Sequence, residues 1–289
     1  MEPSTFFRTP CRTLGLRGAS PRLTINEQVQ LEGYKVELLR SCLQVATSDS
    51  FQPPVVGCKL YLVTAVLALV VSLLAADAAK LTALEAQLTA DPENLTAGAE
   101  YRQMAIADNA YDRAIAFFEQ LSTKPNAGPN VYLNLALAYV DKIPTVGAFK
   151  RISLGNKATK AVTRSIELKP TEVSYAVRGM VNLRFEKGFY HRTPQGVADL
   201  EEARRLSASR PRSPYVAQIY LALGDGYWRL KNHMKARETW KEGADLFPNS
   251  SQLHQRVTSP DNVVTDTIDK TLDPGARVDT SLREVLQDQ

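Results

Sequence analysis

The sequence predicts an all-α fold, an α-α superhelical solenoid of about four helix hairpins, and three observations predict it. From Lys80 onward the chain runs in amphipathic helical stretches, each broken by a proline. Within them a small residue recurs four positions before a large one, with proline about a turn and a half beyond the last small position. The composition shows no Gly or Pro excess, and the three cysteines (Cys11, Cys42, Cys58) all precede the helical region, so no disulfide framework is expected to hold it.

The units follow in chain order. The first, around Ala97–Pro125, places Tyr111, Ala114, Phe118 and Leu121 before Pro125. The second has Tyr132, Leu135, Ala136 and Tyr139 on its first helix, then Ala158, Val162 and Ser165 before Pro170. An insertion of about ten residues lengthens it. The third has Tyr175 and Gly179, then Leu200, Ala203 and Pro211, with an overlong linker EKGFYHRTPQG. The fourth, Ala217–Pro248, is the clearest: Tyr220, Leu223, Gly224 and Tyr227, then Ala236, Trp240, Gly243 and Pro248. Gly224 and Ala236 lack bulk, which lets two helices approach. Tyr227 and Trp240 are expected to fill the space between adjacent hairpins, and Pro248 cannot continue the helix.

This order resembles the tetratricopeptide repeat over residues 90–250. The resemblance implies that Tyr132, Leu135, Tyr139, Ala158, Gly179, Ala203, Leu223, Gly224, Tyr227, Ala236 and Trp240 are packing residues. It also implies a concave face, lined by the first helix of each hairpin, that binds a protein or peptide partner. In the first unit Arg102 stands where the family has glycine, so that helix reads as degenerate. Asn134 matches the asparagine of the family's carboxylate clamp, but Ala99, Glu100 and Val177 replace its basic companions, which argues against a clamp. Register adds Asn130, Leu137, Gln218, Asp225 and Arg229 as groove candidates.

Charge supplies a further expectation. Lys142, Lys150, Arg151, Lys157, Lys160 and Arg164 form a basic run, continued by Arg178, Arg184, Lys187, Arg192, Arg204, Arg205, Arg210 and Arg212. Residues after Pro260 are acidic, with Asp261, Asp266, Asp269, Asp273, Asp279, Glu284 and Asp288. The basic middle repeats, Lys150, Arg151, Lys157 and Lys160 among them, are therefore expected to select an acidic segment, with the chain's own tail one candidate occupant. The alternative is a cytoplasmic or membrane-tethered nucleic-acid or regulatory module. No row of exposed aromatics interleaves the basic residues, and that argues against nucleic acid.

Residues 60–76 (LYLVTAVLALVVSLLAA) carry no charge and follow Lys59, at the lower length limit for a membrane span. Ala76-Asp77-Ala78 is a small-x-small cleavage pattern. The expected domains are a leader (1–57), a signal peptide or signal anchor (58–78), the repeat domain (81–256) and an acidic extended tail (257–289). In that tail SLREVL is a short amphipathic piece that could dock on the last repeat. Such a chain would lie in the periplasm, or another extracytoplasmic space, or be anchored to the cytoplasmic membrane through residues 60–76 if uncleaved. The leader then reads as a start-site artefact or a cytoplasmic tail.

Nothing in the sequence points to catalysis. There is no Gly-rich phosphate loop, HExxH or GxSxG motif, and His191, His233 and His254 are isolated. No catalytic residue, metal ligand or cofactor is expected. The net charge of +4 is too mild to identify a partner. A non-catalytic interaction adaptor or assembly factor is the function these features imply.

Overall fold

The computed structural model describes residues 79–185, 191–210 and 212–287. The leader, the apolar segment 60–76, the three cysteines, the linker residues Phe189 and Tyr190, and Pro211 lie outside the described residues. Among the described residues no helix is long and apolar enough to cross a membrane, and there are no strands.

A helix over residues 79–90 (α1) precedes the repeats. Four antiparallel hairpins follow: α2 (Leu95–Ala107) with α3 (Tyr111–Ser122), α4 (Pro129–Lys142) with α5 (Ala148–Leu168), α6 (Glu172–Arg184) with α7 (Thr193–Leu206), and α8 (Pro214–Arg229) with α9 (His233–Leu246). Each helix packs mainly on its hairpin partner and on the next hairpin, as stacked hairpins must to bury their apolar stripes. The first helices, α2, α4, α6 and α8, make one face of this stack, called here the first-helix face.

Local chemistry sets the boundaries. Asn94, Thr171, Asn232 and Ser250 cap α2, α6, α9 and the following helix α10 (Ser251–Thr258) by accepting a hydrogen bond from a first-turn backbone N–H. Proline opens α4, α7 and α8 at a position whose N–H has no helical partner. The regular hairpins, first and fourth, share one turn. Asn109 and Lys231 take positive φ (53° and 62°). The next residues close the helices, Ala110 N–H to Ala105 O at 2.7 Å and Asn232 N–H to Tyr227 O at 3.0 Å.

The middle hairpins depart from this, as the insertions predict. In the second, most of the extra length is not loop. After a 3-10 turn (Ile143–Thr145), α5 begins early and runs for 21 residues. Its added turns carry Phe149 and Lys150 out into solvent, Phe149 being 92% exposed.

The packing residues occupy the interfaces. Leu223, Ala236, Trp240, Ala158 and Ala203 are fully buried, and Leu135, Tyr139 and Tyr227 nearly so, while Tyr132 is half-buried with its hydroxyl donating to Ser122 O. A Cβ on Gly224 would collide with the Trp240 indole, and one on Gly179 would stand 2.7 Å from Leu200 Cγ. Trp240 also closes its own hairpin. It lies over Gly224 in its own hairpin, with its indole N–H donating to Leu221 O at 3.2 Å. Tyr227 does bridge to the preceding hairpin, its hydroxyl meeting Glu201 on α7.

The tail corrects the sequence reading. Beyond α10 (Ser251–Thr258) the chain is not an extended connector: residues Asp261–Thr271 form α11. Asp261 lies in its first turn and Lys270 in its last, each favourable for the helix dipole. Val264 and Ile268, four apart, are both buried. Its β-branched residues weaken helix propensity, and tertiary contact overrides them. A bend over residues 272–282 leads to the one-turn helix α12 (Arg283–Leu286).

Candidate functional site: the first-helix face

The most informative feature of the molecule is where that C-terminal segment goes. It lies on the first-helix face and touches all four hairpins. The α11 helix rests against the end of α8, where the Trp228 indole N–H donates to Thr265 Oγ1 (3.1 Å) and Arg229 faces Asp269 (3.8 Å). Arg237 on α9 donates to Asp261 and to the backbone oxygens of Arg256, Val257 and Ser259.

From there the chain crosses the end of α6. The Arg184 guanidinium donates to three main-chain oxygens, Thr271 (2.7 Å), Asp273 (3.0 Å) and Ala276 (3.2 Å). Burial lowers its pKa to about 10, which leaves it cationic at neutral pH. Gly275 passes so close to Arg151 that a Cβ there would stand 2.8 Å from the guanidinium carbon. Arg277 then donates to Tyr111 on the first hairpin.

The segment's far point is a buried polar knot. Arg102, with no exposed surface, donates from Nη2 to Thr280 O (2.8 Å), from Nη1 to Asp141 Oδ2 (3.2 Å) and from Nε to Asn134 Oδ1 (3.1 Å). Thr280 donates its hydroxyl to the other Asp141 oxygen. One residue of the segment is thus read twice, at its carbonyl and at its side chain. Burial opposes charge on both partners, pushing Arg102 down and Asp141 up, and each is countered by the other's charge. An ion pair so enclosed holds only when its remaining donors and acceptors are satisfied, and Asn134 and Thr280 satisfy them here.

After Thr280 the backbone turns back. Leu282 adopts φ 55°, ψ 19°, a left-handed conformation that costs a branched residue about 1–2 kcal/mol. Burial of Leu282 and Val285 holds it there. The α12 turn then meets the start of α8, where Gln218 donates to Glu284, so SLREVL does dock on the last repeat. Val285 shares a small recess with Tyr215, Val216 and Glu172. The Tyr215 hydroxyl in this recess is buried and has no hydrogen-bond partner.

The sequence candidates divide under this geometry. Asn134, Leu137 and Asp225 are sealed inside rather than presented to a partner. Asp225 accepts two hydrogen bonds from buried Arg256 on α10 (2.8 and 3.1 Å) and locks α10 to α8. Asn134 also donates to Asn130 O and fills the space over Gly98. Asn130 ties α4 to the chain before α2 through Glu93. Gln218, Arg229 and Arg151 lie under or beside the C-terminal segment. Lys150, Lys157 and Lys160 are exposed on α5, away from these contacts, with Lys157 paired to Glu119 at 3.4 Å.

About half of the basic run is paired with carboxylates within the fold. Arg178 makes two bonds to Asp199 (2.7 and 2.9 Å), and Lys142, Arg164, Arg204, Arg205 and Arg210 face Asp112, Glu167, Glu242, Glu202 and Glu172. The segment is gripped by its carbonyls more than by its carboxylates, which alters the expected basic-on-acidic contact. Sequence reasoning missed Arg102, Asp141 and Arg184. The available signal was the departure at Arg102, where a charged residue at a packing position needs a buried partner.

Among the described residues no cluster of His, Cys, Asp or Glu could hold a metal ion. No family model and no curated protein matches the chain. Among solved structures, it is similar to the following two. One is a thermophilic TPR protein of Thermus thermophilus, with 18% identity and a TM-score of 0.48, over 66% of this chain and 93% of that one. The other is the APC/C hetero-tetramer Cut9-Hcn1, with 17% identity and a TM-score of 0.31, over 87% of this chain and 49% of that one. The four stacked hairpins, with small residues at their close approaches, make this chain an all-α superhelical solenoid.

Proposed function

We propose that the chain is a non-catalytic protein–protein interaction adaptor or assembly factor that binds a polypeptide partner across its first-helix face. One observation carries this reading. The face already holds a polypeptide, with Arg102 and Arg184 aimed at main-chain oxygens that any peptide presents. Export or anchoring to the cytoplasmic membrane is the second part of the proposal, and residues 60–76 with the Ala76-Asp77-Ala78 pattern support it. The nucleic-acid alternative loses support because Arg178, Arg204, Arg205 and Arg210 already face carboxylates.

A photo-crosslinking residue placed at Gln218 in the native host, with one at exposed Lys241 as control, tests the proposal. Envelope polypeptides crosslinked from position 218 and not from 241, on a bait beginning near Ala79, are the expected outcome. Equal labelling from both positions would remove the first-helix face as the binding surface. A bait that keeps Met1 and carries cytoplasmic partners would remove the export argument.

A further inference from the structure

We infer that the C-terminal segment is a stand-in for the partner, and that the face selects a peptide with a threonine followed two residues on by leucine and five on by a small β-branched residue. This inference rests on the adaptor reading and deepens it. The pattern comes from the three side chains that the face buries, Thr280, Leu282 and Val285, whereas Arg283 and Gln287 between and beyond them point to solvent.

The threonine is the selective element. Its carbonyl takes a hydrogen bond from Arg102, and any residue can supply that. Its hydroxyl donates to Asp141, and only serine or threonine combines that donor with so small a volume. An apolar residue there would leave a buried carboxylate short of a partner, which is the expensive case. Leucine is fixed by depth, since Leu282 is 8% exposed despite its left-handed backbone.

The own segment is an imperfect occupant, which is how a partner could displace it. Tyr215 is buried with its hydroxyl unpartnered, in the recess that Val285 helps to line. A threonine at the Val285 position keeps the valine shape and brings a hydroxyl into the same recess. A tethered segment has an effective concentration in the mM range, so a partner needs such an added contact to compete.

The test uses the full chain opened by Leu282→Asp with Val285→Asp, and separately by Leu282→Asp alone, each checked for intact helicity by circular dichroism. The probe is a fluorescent synthetic peptide of residues 277–287. It is expected to bind both opened chains at least tenfold more tightly than the wild type. A peptide with Thr280→Val should bind roughly ten- to a hundredfold more weakly, because the lost hydrogen bond is to a charged group. A peptide with Val285→Thr should bind several-fold more tightly.

Equal affinity for the threonine and valine peptides would overturn the inference and leave the adaptor reading standing. Helical, opened chains that bind no peptide would overturn both. Wild-type chains that dimerise in the same titration, by light scattering, would make the occupant a second copy and overturn the partner assignment.

Discussion

The fourth hairpin and the C-terminal segment are held by opposite means. In the hairpin, Trp240 is buried over a glycine that has no room for a methyl group, and the contact is apolar and local. In the segment, a few apolar side chains are pinned between arginines that reach for carbonyl oxygens. A jigsaw contact of the first kind has one solution and fixes the fold. Contacts of the second kind suit an element that binds and can be replaced, since a peptide from elsewhere offers the same oxygens.

Changes inside the hairpin should have the largest effect. Trp240→Ala is expected to cost about 3–5 kcal/mol through the cavity it leaves, lowering the urea midpoint of the whole solenoid. A midpoint within error of wild type would break the claim that this contact holds the stack. Asp225→Ala leaves Arg256 buried without its carboxylate and should cost about 3–5 kcal/mol as well. Replacing both with apolar residues of similar volume should recover most of it, because the pair's desolvation then disappears. Gly224→Ala should fall below these, at about 1–3 kcal/mol, since a methyl group must push the indole aside.

The two regions should also respond to acid in opposite senses. Glu85 on α1 and Glu201 in the repeats are held below the ordinary 4.5, Glu85 chiefly by its bond to Arg113 and Glu201 chiefly by its bond to Tyr227. Their stabilisation is complete above about pH 4.5 and is lost as pH falls through the lowered values. Glu284 in the segment is raised above 4.5, first by burial and then by Asp279. Docking therefore takes up a proton and tightens as pH falls through that raised value, levelling off below about 4.5. Amide exchange over α12, corrected for intrinsic rates, should slow as pH falls toward about 4.5 while the repeats hold steady. A segment that loosens over that range would reverse the sign and contradict the burial of Glu284. The smallest effect should come from Lys241→Ala, whose exposed pair with Asp245 should change stability by less than about 1 kcal/mol.

The same contrast explains what the sequence could reveal. The hairpins were legible because their contacts are short-range: Gly224 meets Trp240 sixteen residues on, and helix periodicity with capping and proline signals marks the ends. The groove was legible only as a surface of register positions. Asn134 and Asp225 carry the right register but are consumed by buried partners that register does not disclose, Arg102 and Arg256. The docking of SLREVL is visible in its amphipathic pattern, yet the course of the tail is not. Its chief contact joins Arg102 to Thr280, 178 residues apart, and no local pattern encodes such a pair. α11 was hidden for a different reason, since its β-branched residues read as non-helical until Val264 and Ile268 find the repeats.

The decisive comparison is amide hydrogen exchange at neutral pH on the intact chain and on its Leu282→Asp variant. Strong protection over residues 280–286 is expected in the wild type and should be lost in the variant, with α8 and α9 unchanged in both. Fast exchange of residues 280–286 in the wild type, or loss of α8 and α9 protection together with the segment, would contradict a replaceable occupant on a self-sufficient solenoid.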